Sequence, residues 1–100
     1  MSTVNNSPVR TYDIANSIVL SSTGTAVRTG AAIRASEVML EAGGTGWIRF
    51  GDGTVTATVG AGSMRINAGE RLHMVFPTGS FISWISAGGT ADLVIVRTMP

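Results

Sequence analysis

The stretch "WIRFGDGTVTATVG", residues 47–60, sets Arg49, Asp52 and closely spaced glycines among apolar residues, the ingredients of a phosphate-binding or catalytic loop. A phosphate cradle needs its glycines at set spacing ahead of a helix, whose first N–H groups point at the anion. Here the glycines run into alternating Thr and Val, and neither G-x-G-x-x-G nor G-x-x-x-x-G-K-[ST] occurs. The stretch therefore reads as a bend between strands. His73 is the single histidine, placed on a strand without the second imidazole or nearby acid that a metalloenzyme of jelly-roll type would present. The carboxylates Asp13, Glu37, Glu41, Asp52, Glu70 and Asp92 are dispersed, and Glu37 and Glu41, on one face of a strand, stand too far apart for paired acid–base work. No G-x-S-x-G elbow supports a serine nucleophile. The expectation is a protein that is not an enzyme and takes no cofactor and no metal.

The residues left to carry function are contact residues. Trp47 and Trp84 are the large anchors, each suited to sugar stacking, to an interface, or to filling a core with the indole N–H tied to a backbone carbonyl. Arg49 shares a strand face with Trp47, where it serves an intersubunit salt bridge, a cation–π contact or a solvated surface. Tyr12 is a further stacking candidate, and Arg97 closes a last strand with apolar groups on both faces. The candidate interface is thus Tyr12, Trp47, Arg49, Trp84 and Arg97. Every cation besides His73 is Arg, the basic residue enriched at protein interfaces. The net charge is only +1 and the arginines are scattered singly, so no nucleic-acid partner is expected.

The elements that position these residues follow from the punctuation. Glycines interrupt the chain every few residues, which leaves no room for long helices, and the segments between them are rich in Val, Ile, Thr, Phe and Trp with period two. Strands are predicted at 12–20, 25–29, 37–42, 46–50, 54–59, 63–67, 70–76, 80–87 and 91–98, with a short helix near 31–35. Asp52-Gly53, Ala68-Gly69 and Gly88-Gly89 are expected to close hairpins. Val55, Ala57 and Val59 should face a core while Thr54, Thr56 and Thr58 face water; Leu72, Met74 and Phe76 should oppose Arg71 and His73. In the last strand Leu93, Ile95 and Arg97 oppose Asp92, Val94 and Val96, which predicts a central or interfacial strand. The fold class is all-β, a small antiparallel β-sandwich or jelly-roll-like barrel.

One hundred residues make one modest core. Residues 12–100 are read as that single domain, and the polar residues 1–11 as a flexible arm that orders against a neighbour. There is no cysteine, so extra stability must come from subunit association. The N-terminal residues lack the apolar core of a secretory signal, and no apolar run approaches the roughly 20 residues of a membrane helix, so no membrane partner is expected and synthesis is placed in a cytoplasm.

The block "GTGWIRFGDGTVTATVGAGSMRINAGERLHMVFPTGSFISWISAGGTADLVIVR" resembles small phage and prophage virion proteins, in which a strand ending "RFGDG" precedes Thr/Ala-rich and "AG" turns and an "I-x-A-x-G-T-A-x-L" ending. The resemblance covers residues 36–98, while 1–35 match no such pattern. It implies a compact β-sandwich built into the particle, foremost a capsid decoration or cement protein on the virion surface. Its partners would be the major capsid protein and further copies of itself, as a trimer or dimer. A tail, head–tail or fibre component using Trp47, Trp84 or Tyr12 against a carbohydrate or receptor is the alternative, and a metal-dependent cupin-like enzyme a third. The resemblance brings no catalytic residues with it.

Overall fold

A computed structural model describes residues 12–34, 37–75 and 78–98. Eight strands form two antiparallel four-stranded sheets, a small all-β sandwich. They are β1 (Ile18–Ser22), β2 (Val27–Arg28), β3 (Glu37–Ala42), β4 (Gly46–Gly51), β5 (Met64–Ile66), β6 (Arg71–Val75), β7 (Phe81–Ser86) and β8 (Ala91–Arg97). The first sheet has the order β1-β8-β3-β6 and the second β2-β7-β4-β5. The expected arm at 1–11 lies outside the described residues, as does Phe76.

Side-chain alternation builds the core as anticipated. Leu20, Val38, Leu40, Leu93 and Ile95 project from the first sheet onto Ile48, Ile66, Ile82 and Trp84 from the second, all in one buried cluster. Leu72 and Met74 pack against its margin while Arg71 and His73 turn outward. β8 lies between β1 and β3, the central place its apolar content predicts, with Val94 and Val96 on the outer face.

Three connections depart from expectation, two of them because the chain changes sheets. A hairpin returns to the sheet it left, whereas here nearly every link crosses to the facing sheet. Gly88-Gly89 joins β7 of the second sheet to β8 of the first, and Ala68-Gly69 joins β5 of the second to β6 of the first. Each link is four residues long, enough to cross the ~10 Å between sheets. Glycine takes positive φ at only one position in each, 78° at Gly69 and 65° at Gly89, whereas a two-residue I′ hairpin turn requires it at both. Ser86 fixes the second corner, its hydroxyl accepting from the Gly88 amide at 3.2 Å and donating to the Gly89 carbonyl at 2.8 Å.

The third is Asp52-Gly53. β4 already has β7 on one edge and β5 on the other, so a strand at 54–59 has no ladder to join. The segment instead crosses the outer surface of the second sheet, held by side chains. Ser83 points outward from β7, accepts from the Ala57 amide at 2.8 Å and donates to the Val27 carbonyl at 3.0 Å; Arg28 donates to the Val55 carbonyl at 3.0 Å. Val55 and Ala57 are buried there, outside the intersheet cluster, while Val59 is exposed.

The N-terminal half of the predicted strand 12–20 is also replaced. Tyr12 bridges Thr98, then Asp13 anchors a 3₁₀ turn (Ile14–Asn16) by accepting from the Asn16 side chain at 3.0 Å before β1 begins. No helix forms over 31–34, and Ala35 lies outside the described residues. Ile33 is fully buried, and its backbone bonds to Ser80 and Gly79, which pulls the segment open.

Candidate functional site

The register gives each sheet an outer face, and the two carry opposite charge. From the second sheet the outward charged residues are Arg28, Arg49 and Arg65, with Trp47 and Ile85 beside them. From the first sheet they are Glu37, Glu41 and Asp92, with Arg71 and His73 on β6. Glu41 and Arg71 pair at 2.8 Å, an exposed bridge of small energetic weight. Asp92 accepts from the Ser21 hydroxyl at 2.6 Å.

His73 is less isolated than its sequence neighbours imply. Pairing of β3 with β6 brings Glu37 to 3.4 Å from Nε2, and Tyr12 meets the imidazole edge-on, with ring centroids 6.4 Å apart. Among the described residues no three His, Asp or Glu side chains gather as a metal site. Tyr12 therefore helps clothe the first sheet's outer face. Arg97 sits at the inner end of β8, with a guanidinium nitrogen 3.7 Å from Asp13, and its buried Nε has no hydrogen-bond partner among the described residues.

The two tryptophans separate. Trp84 is 0% exposed and donates from Nε1 to the Ala91 carbonyl at 3.0 Å, so it is core and is corrected from the surface candidates. Trp47 is half-buried on the outer face of β4, two residues from Arg49. The interface candidates accessible on this chain are thus Tyr12, Trp47, Arg49 and, at the rim, Arg97.

Arg49 also lines a cleft of about 460 Å³ with Gly51, Asp52, Thr54, Thr56 and Thr58. The glycine-rich stretch that reads as a bend in the sequence is therefore the wall of the cleft over β4. Asp52 makes it by accepting from the Thr54 amide at 2.8 Å and from the Thr54 hydroxyl at 2.6 Å, while the Val55 amide bonds the Asp52 carbonyl at 3.0 Å. Extended backbone then presents Thr54, Thr56 and Thr58 on the side opposite buried Val55 and Ala57. The Thr56 hydroxyl donates to the Thr54 carbonyl at 3.2 Å, and the Thr58 hydroxyl to the Ala61 carbonyl at 3.4 Å. Gly62 closes the loop over Arg49; a Cβ there would lie 3.8 Å from its guanidinium.

The hydroxyl and amide of Thr54 hold the Asp52 carboxyl below its ordinary value. A depressed folded-state pKa means that the turn is fully supported above the ordinary carboxylate range and loses that support as pH falls through the lowered value. The Thr54 amide resonance, followed by NMR against pH, should titrate with a midpoint below that of Asp in an unfolded peptide. A midpoint at or above the peptide value would contradict the turn geometry.

Comparison of the chain with protein-family models, with curated proteins and with solved structures finds no match.

Proposed function

We propose that this protein is a non-catalytic structural component of a virus particle, a decoration or cement protein that binds the capsid surface as a homo-oligomer. The observation that carries the reading is the outer face of β1-β8-β3-β6. Val19 is 55% exposed and Val75 73% exposed, with Val94 and Met39 half-buried between them and Glu37, Glu41 and Asp92 around them. A sheet face with apolar groups set among charges suits docking on another folded surface, and weak contacts of this kind gain strength when symmetry repeats them around a shell. The turn pattern shared with phage virion proteins over residues 36–98 supports the same assignment, with the major capsid protein as partner.

The test uses particles lacking the protein. Purified protein added back should sediment with them, and light scattering on a sizing column should show an oligomer. Val19→Glu and Val75→Glu alter exposed positions, so the variants should fold but stay in the supernatant. A strict monomer that fails to sediment, or variants that sediment like the parent chain, would sink the proposal.

A further inference from the structure

We propose that the cleft over β4 binds a carboxylate-bearing saccharide. This site lies on the sheet opposite the face assigned to capsid contact, so the two readings stand or fall separately. The hydroxyls of Thr54 and Thr56 spend their hydrogens on Asp52 and on the Thr54 carbonyl, and that of Thr58 reaches the Ala61 carbonyl. Their oxygens therefore face the cleft as acceptors. The Asp52 carboxylate adds a further acceptor at the same end. Arg49, three residues earlier on the extended chain, supplies a fork of donors and has no acidic or carbonyl partner among the described residues.

A ligand that satisfies both ends must bring a carboxylate for Arg49 and several hydroxyl donors for the Thr row. A sugar acid has both. Inorganic phosphate brings only one or two hydroxyl donors to the Thr row, fewer than a sugar acid, and a neutral sugar leaves the guanidinium fork without a charged acceptor.

The experiment is an NMR titration of the full chain with glucuronate, N-acetylneuraminate, glucose and inorganic phosphate in separate samples at equal millimolar concentrations. Saturable shifts of the Arg49 Nε–H and the Thr54 and Thr56 amides are expected with one or both sugar acids, and the acid that binds identifies the source. Arg49→Gln should weaken binding about tenfold or more, and Thr56→Val, which keeps the volume and removes the acceptor, about fivefold. Both side chains are exposed, and the dispersion of the amide spectrum confirms folding in each variant. No saturable shift with either acid, an equal response to glucose or phosphate, or unchanged affinity in Arg49→Gln would overturn the proposal.

Discussion

Trp84→Ala is expected to cost about 3–5 kcal/mol, the range for deleting a large aromatic ring from a packed core. Two terms add. Trp84 is the largest fully buried side chain, lying among residues contributed by both sheets, and its removal leaves a void that short strands tied at both ends cannot close. The Ala91 carbonyl also loses the indole donor at 3.0 Å. Against a typical total of 5–15 kcal/mol, this consumes a large fraction of the stability. For a domain of this size, Tm should fall by at least about 12 °C. Thermal unfolding followed by circular dichroism measures it, and a fall of under about 4 °C would mean that the ring does not link the sheets.

The second large effect belongs to Gly46, directly beneath that ring. A Cβ at Gly46 would run into the six-membered ring of Trp84 and stand 2.5 Å from the Ile85 carbonyl oxygen. The strand pairs on both edges, with Ile66 and with Ser86, so the backbone has no freedom to withdraw. Gly46→Ala should therefore destabilise by about 1–3 kcal/mol although it adds a single methyl group. The cause is testable by coupling. Trp84→Phe removes the ring atoms that the methyl meets, so the double variant should be more stable than the sum of the single losses by about 0.5 kcal/mol or more. Strict additivity in urea unfolding would show that the collision is with the backbone alone.

These positions also mark how far the chain could be read from its residues. β3 appears at its anticipated limits and β4 is only one residue longer, because burial on one face imposes period two whatever the neighbour. The links were misread because Asp-Gly and Gly-Gly permit a reversal without stating which sheet receives the next strand. Residues 54–59 show the same limit. Their Val/Thr alternation is that of a strand, but β5 and β7 had taken both edges of β4, a long-range fact absent from local pattern. The cleft was hidden for this reason, since it exists only because the Thr row lies across the sheet. The His73–Glu37 contact was hidden by register, which sets side by side two residues far apart in sequence. Trp47 and Trp84 share their size and single polar atom, so those features do not tell the core indole from the surface one; Trp84 is core because its register on β7 turns it inward.

The central place of β8 has a consequence for how the molecule comes into being. During synthesis β1 emerges first, yet its ladder partner is the eighth strand, and β2 must likewise wait for β7. Until β8 leaves the ribosome, Leu20 and Leu40 have no neighbouring strand between them, and the nascent polypeptide carries its oily side chains uncovered. Closure is then a late, concerted event governed by distant encounters, and slow for so short a chain.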